Sequence, residues 1–270
     1  MVRHLYQCLA GLLAACSVLG SVPATAQPVV QAPARVPRAH VLLVGDSTLA
    51  TRTGYGDALC GLLQSDVHCT NLARGGRSSK SYRAEGLWDG VLAQIRASAG
   101  AWPVWILIQL GHNDQPGKPE RSTDLATEFP HNMARYVQEA QQAGAQVVLL
   151  SPLTRRSFQE GQLQNDLRPW ALAVQTVAAQ TGVPFLDLNL HSAQAVQTMG
   201  QQEADTLAMA PPPGPGATAV PAPPASGPRP LTSGFDRTHL GSKGAATFSA
   251  LVAELARTHL PEWSDLLRKQ

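Results

Sequence analysis

His40-Val41-Leu42-Leu43-Val44-Gly45-Asp46-Ser47-Thr48 is an apolar run that stops on a glycine and three small polar residues. Val41 to Val44 carries no polar side chain, so His40–Gly45 (HVLLVG) reads as a strand covered on both faces, the pattern of a parallel sheet. Gly45 to Thr48 then reads as the turn that leaves it. In open α/β sheets the carboxyl ends of the strands face the ligand crevice, so Ser47 stands where chemistry is usually done.

The same reading extends along the chain. Val67–Leu72, Val104–Leu110 (VWILIQL), Gln146–Ser151 (QVVLLS) and Val183–Leu188 (VPFLDL) are further strands of this buried kind. Helical spacing lies between them. From about Pro130 to Ala143, Met133, Val137 and Ala140 fall on one face, Gly144 is the stop, and Pro130 fits in the first turn. From about Asp166 to Thr181, Trp170, Val174, Val177 and Ala178 are in register, with Pro169 in the first turn and Gly182 at the end. A final helix runs from near Ser242 to about Arg257. Strands alternating with helices predict an α/β, doubly wound sheet with right-handed crossovers.

Length and composition set the limits. A chain of 270 residues, 44% of them hydrophobic, is long enough for one substantial α/β core and short for two full domains. The net charge is +2 and no run of Lys or Arg could follow a phosphate backbone, which excludes a nucleic-acid partner. Arg3, the apolar stretch Leu5 to Leu19 and Ala24-Thr25-Ala26 have the form of a signal peptide, residues 1–26, cleaved after Ala26. The apolar stretch is too short and too rich in Ala and Gly for a membrane span. Leu13-Ala14-Ala15-Cys16 supports a second reading, a lipobox with Cys16 lipidated and Ser17 to Arg38 as a tether; an uncleaved helix is a third. The first reading leaves a linker at 27–38 and the folded domain at 39–270. Both export routes leave Cys60 and Cys69 unmodified. An even pair in an oxidising compartment points to a disulfide, with two buried free thiols as the alternative. Pro211 to Pro230 is almost entirely Pro, Ala and Gly, and is expected as an exposed, poorly ordered loop. It is either a tolerated surface insertion or a flap beside the site that it precedes.

Three constellations carry chemistry. A serine hydroxyl needs a base within hydrogen-bond reach, and Ser47 alone could equally be a helix cap. Asp236-Arg237-Thr238-His239 supplies such a base: an Asp and a His three residues apart can share one turn, the carboxylate holding one ring nitrogen and the other facing a serine. A salt bridge at the start of the last helix explains many such pairs as well. Acyl transfer also needs donors for an oxyanion. Gly75-Gly76, after the second strand, lets a backbone N–H approach a ligand, and the Asn113 amide in Gly111-His112-Asn113-Asp114, after the third, can donate. Read singly, these are a tight glycine turn and an Asx-turn.

Together they are far more specific. Gly45-Asp46-Ser47, Gly76, Gly111-His112-Asn113-Asp114 and Asp236-Arg237-Thr238-His239 resemble the four blocks of the SGNH (GDSL-type) hydrolase family. Gly-Asp-Ser-Thr, Gly76 to Tyr82 (GRSSKSY), Ser151 to Arg156 (SPLTRR) and Asp-Arg-Thr-His-Leu are similar to its rhamnogalacturonan acetylesterase-like branch. The resemblance runs from about Val41 to Leu251, and the Pro-rich segment is no part of it. It implies a three-layer, flavodoxin-like five-stranded parallel sheet and removal of small acyl groups, often acetyl, from a carbohydrate of the pectin or rhamnogalacturonan type. It also implies that Ser47 is the nucleophile, His239 the base and Asp236 its orienter. The Ser47 and Gly76 N–H groups and the Asn113 amide would form the oxyanion hole. No cofactor or metal is called for; His40, His68, His131, His191 and His259 show no ligand spacing. The expected partner is an acetylated carbohydrate, and the protein is expected as an exported monomer. Two rivals stand beside this. One is an esterase of the same type on another small acyl ester or a lipid, which should show a wide apolar mouth. The other is a non-catalytic carbohydrate-binding protein on the same fold, which would not react with a fluorophosphonate.

Overall fold

The computed structural model describes residues 37–210 and 235–269. The expected signal peptide with Cys16, the linker up to residue 36 and the Pro211 to Pro230 segment lie outside the described residues.

The elements follow in order: β1 (Ala39–Gly45), α1 (Gly56–Gly61), β2 (Val67–Asn71), α2 (Ser81–Ala84), α3 (Leu87–Ser98), β3 (Val104–Gln109), α4 (Glu128–Gln142) and β4 (Ala145–Leu150). A small hairpin, β5 (Phe158–Gln159) with β6 (Gln162–Leu163), precedes α5 (Arg168–Thr181), β7 (Phe185–Leu186), α6 (Leu188–Asp205) and α7 (Ser242–His259). The main sheet has five strands in the order β2-β1-β3-β4-β7, and every pair is parallel. This is the flavodoxin-like order. It reverses between β1 and β3, so a crevice opens where those two strands end.

Alternation along the strands builds two cores. Val41 and Leu43 of β1 pack with Phe248 and Val252 of α7 on one face. Leu42 and Val44 pack with Val91 and Ile95 of α3 and Met133 and Val137 of α4 on the other. Helices on both faces explain why the strands read as continuous apolar runs. Pro130 and Pro169 both sit in first turns, where no N–H is needed.

The fifth core strand is shorter than Val183–Leu188. Pro184 lacks an N–H for the ladder, and the Asp187 carboxylate already caps α6 by accepting from Leu190 N at 3.1 Å. The sequence reading assigned no helix at Leu188–Asp205. That stretch carries a weak apolar stripe and Gly200, whose φ of +72° interrupts the helix. Helix α7 continues two residues beyond Arg257, to His259.

Cys60 of α1 and Cys69 of β2 form a disulfide, with Cα atoms 5.6 Å apart. It fastens the edge strand to the helix that follows the Ser47 turn. Closing so short a loop limits the unfolded chain and should add about 2–3 kcal/mol. Replacing both cysteines with alanine is expected to lower the melting temperature by several degrees while leaving the far-ultraviolet circular dichroism unchanged. An unaltered melting temperature would show that the bond contributes nothing.

Candidate active site

Ser47 lies in the turn after β1 and is 9% exposed. The turn is wound by Asp46, whose carboxylate accepts from Thr48 N and Thr48 Oγ1, both at 2.9 Å, and whose carbonyl accepts from Leu49 N and Ala50 N. Thr48 Oγ1 accepts in turn from Gln109 Nε2 at 2.7 Å, and the Tyr55 hydroxyl donates to Gln109 Oε1. The loop from Thr48 folds back on itself. A Cβ at Gly54 would lie 2.2 Å from the Thr48 carbonyl carbon, so only glycine allows that approach.

Asp236 and His239 meet in the turn that precedes α7. Asp236 Oδ2 lies 2.7 Å from His239 Nδ1, and Asp236 Oδ1 accepts from Thr238 N at 2.9 Å and His239 N at 3.0 Å. With Nδ1–H directed at the carboxylate, His239 Nε2 is the nitrogen left for chemistry. Thr53 joins this turn to that of Ser47: its hydroxyl donates to the Ser47 carbonyl at 2.7 Å, and its own carbonyl accepts from Leu240 N at 2.9 Å. The structure therefore brings the two segments to one end of the sheet. Among the described residues, Ser47 Oγ and the His239 ring share no direct hydrogen bond.

The two glycine- and asparagine-bearing loops come from β2 and β3. Gly76 has φ +79°, a conformation that favours glycine. Three groups hold the carbonyl side of its loop: Arg77 Nη1 donates to Gly75 O at 2.7 Å, Arg121 Nη1 to Gly76 O at 3.2 Å and Asn113 Nδ2 to Arg77 O at 3.0 Å. Among the described residues neither the Ser47 nor the Gly76 N–H has a protein acceptor. The Asn113 amide has a second N–H beyond the one given to Arg77. A β-carbon at Gly75 would sit 3.7 Å from Ser47 Cβ, so this loop borders the serine.

Charges near the serine are organised. Burial opposes ionisation of Asp236, but the His239 ring and the Thr238 and His239 amides outweigh it, and the carboxyl is held well below the usual range. Asp46 is fully buried, yet the His112 ring 3.1 Å away and the Thr48 donors also keep its carboxyl below its usual value. Asp114 differs. Burial pushes it up to about 7, with help from Asp46, although Ser79 N, Ser79 Oγ and Thr123 Oγ1 all donate to it. Lys118, bonded to the His112 carbonyl, is pushed down to about 8 by burial and by Arg155 and Arg121.

Several of these residues carry no role in the sequence reading. Gln109 had a signal, since it is the polar residue that ends an otherwise apolar strand. Thr53 and Arg121 had none, because their side chains bond backbone carbonyls, of Ser47 and Gly76, which no side-chain pattern marks.

A serine at a strand end and an Asp–His turn at the same end of the sheet are the residue types that serine acyl transfer requires. Residues 43–247 match the GDSL-like Lipase/Acylhydrolase family, and the chain belongs to it. Membership makes it a carboxylic ester hydrolase. It is 29% identical over 240 residues to the probable rhamnogalacturonan acetylesterase YesY of Bacillus subtilis (strain 168), an alignment covering 86% of this chain and 99% of that protein. A solved structure of the Bacillus subtilis protein YXIM superposes with a TM-score of 0.63 at 20% identity, covering 83% of this chain and 57% of the other, little more than half. The acetylxylan esterase Axe2 of Geobacillus stearothermophilus gives a TM-score of 0.56 at 18% identity, covering 87% of this chain and 99% of that one. Both likenesses are of fold.

Asp114 provides a pH test. Its carboxyl rises from 3.8 to about 7 on folding, so between these values the folded chain holds a proton that the unfolded chain releases. Its contribution therefore favours folding less as pH climbs through that window. Asp114→Asn is expected to flatten the fall of melting temperature between about pH 4 and 7 that this group causes. Equal slopes for wild type and variant would mean that Asp114 is ionised throughout.

Proposed function

We propose that this chain is an exported serine esterase that removes acetyl groups from a pectin-type polysaccharide of the rhamnogalacturonan class. Ser47 is the nucleophile, His239 the general base and acid, and Asp236 the group that holds the imidazole. The Ser47 and Gly76 N–H groups and the Asn113 amide receive the oxyanion. The observation that carries the reading is the Asp236–His239 contact of 2.7 Å on a turn that Thr53 fastens to the Ser47 turn. Similarity to a probable rhamnogalacturonan acetylesterase along nearly its whole length supports the substrate class.

On this reading the steps are those of a serine triad. Ser47 Oγ attacks the acetyl carbonyl carbon while His239 Nε2 takes its proton, and Asp236 stabilises the imidazolium that forms. The carbonyl oxygen becomes an oxyanion that the Ser47 and Gly76 N–H groups and the Asn113 amide would receive as preorganised donors. His239 returns the proton to the departing sugar hydroxyl, leaving acetyl-Ser47. Water then attacks, His239 takes its proton and passes it to Ser47 Oγ as the ester bond breaks, and acetate leaves with Ser47 and neutral His239 restored. This chemistry calls for no metal or cofactor. Among the described residues no helix is long and apolar enough to cross a membrane. The sequence signals Leu5 to Leu19 and Ala24-Thr25-Ala26 support export by cleavage after Ala26.

Acetate release from acetylated rhamnogalacturonan tests the reading, with Ser47→Ala as control. The variant should fall to the blank rate and lose labelling by a fluorophosphonate. Asn113→Ala should retain labelling but lose roughly 10²–10³ in kcat with little change in KM, because its bond strengthens only as the oxyanion forms. Acetate release by Ser47→Ala at the wild-type rate would overturn the assignment of the nucleophile.

A further inference from the structure

One buried cationic side chain bonds the carbonyls of the Asp236–His239 turn. Arg156 follows β4 in the segment Ser151 to Ser157 and is fully buried, at 0% exposure. Its main-chain N–H donates to Arg237 O at 2.9 Å. Its guanidinium donates to Thr238 O at 3.3 Å, to Asp236 O at 3.3 Å and to His239 O at 2.7 Å. Arg156 thus meets the carbonyl of each residue from Asp236 to His239. The Asp236 carboxylate meets the amides of Thr238 and His239 and the His239 ring. The turn is clamped between a cation on its carbonyl side and an anion on its amide side.

Arg156 is an expensive way to hold a loop. A buried cation is normally matched by a carboxylate in contact, because desolvating a guanidinium costs several kcal/mol. Among the described residues Arg156 has no ion-pair partner; the acidic charges that act on it, Asp236 and Asp205, do so without direct contact. Arg237 already pairs with Asp205, at 2.9 Å. Burial pushes the Arg156 guanidinium down to about 10, so it is still charged at neutral pH. Its anchor is rigid: Thr154 N donates to Ser192 Oγ at 3.2 Å and Asn189 Nδ2 to Pro152 O at 3.1 Å, which fixes the segment to α6. Water could satisfy carbonyls at the rim of a cleft equally well. What water cannot do is hold four of them in one geometry relative to β4.

We propose that Arg156 is a positioning residue for acyl transfer: by holding the carbonyls of Asp236 to His239 it fixes the His239 ring against Ser47. This rests on the functional reading above. The guanidinium is required for its fork of donors. A lysine keeps the charge but offers one donor point, which cannot serve separated carbonyls.

The test is Arg156→Lys and Arg156→Gln, with folding checked by circular dichroism. Arg156→Lys is expected to lower kcat on an activated acetyl ester roughly 10- to 100-fold, the effect of a small misplacement of a catalytic group, with KM within about threefold. The downfield proton resonance of the His239 Nδ1–H, which reports its bond to Asp236, should weaken or vanish. In an Asp236→Asn background the same Arg156→Lys change should cost far less, because the contact that it protects is already lost. A wild-type kcat for folded Arg156→Lys would overturn the proposal, as would equal fold losses in the two backgrounds. Loss of the fold in both Arg156 variants would also overturn it, since the arginine would then serve stability alone. If Ser47→Ala stays active, the functional reading fails; if only the Arg156 variants behave as wild type, this proposal fails alone.

Discussion

The parallel pairing of Gly45 with Gln109, at the carboxyl ends of β1 and β3, is the contact on which the site depends. The strand order reverses between these two strands, so their ends open the crevice. The approach is close: a β-carbon at Gly45 would lie 2.6 Å from the Gln109 carbonyl oxygen. Gln109 then turns the pairing into a support. Its side-chain Nε2 donates to Thr48 Oγ1 and its Oε1 accepts from the Tyr55 hydroxyl, so the residue at the end of β3 braces the turn that presents Ser47. Every one of these polar groups is buried and satisfied, which makes the floor of the site stiff.

From that floor the other loops are fixed by charge acting on backbone. Arg77 and Arg121 hold the Gly75 and Gly76 carbonyls, Lys118 holds that of His112, and Arg156 holds the turn of His239. Turning carbonyls toward cations leaves N–H groups free to face a ligand. That is the arrangement an oxyanion needs, since a donor already committed to the protein could not stabilise it.

The sheet was legible because its strands are buried on both faces and keep apolar residues at nearly every position. The four motif blocks were legible because each falls where a strand or helix begins or ends. What could not be read is carried by long-range contacts to the backbone. Arg156 follows another arginine in SPLTRR, and nothing local says which of the two is buried; Arg155 instead pairs with Asp166 at 2.5 Å. The helix α6 was missed because its apolar stripe is thin and Gly200 breaks it. Leu188 and Val196 bury there only once β4 and α7 are in place.

Two Asp–His pairs stand beside one serine, and physical environment separates their uses. His112 is 3% exposed, its Nδ1 is 3.1 Å from Asp46, and its Nε2 is buried with no hydrogen-bond partner among the described residues. Asp46 is also committed to both donors of Thr48, so this pair shapes the Ser47 turn and the loop that carries Asn113. A general base has a further duty: it must pass a proton to a departing hydroxyl and later take one from water. His239 is 27% exposed, and its partner carboxylate is held by amides of its own turn, so the ring can meet solvent while its orientation stays fixed. Exposure and hydrogen bonding thus suit the pair on the rim to the proton transfers of the proposed mechanism, and they commit the buried pair to holding the Ser47 turn.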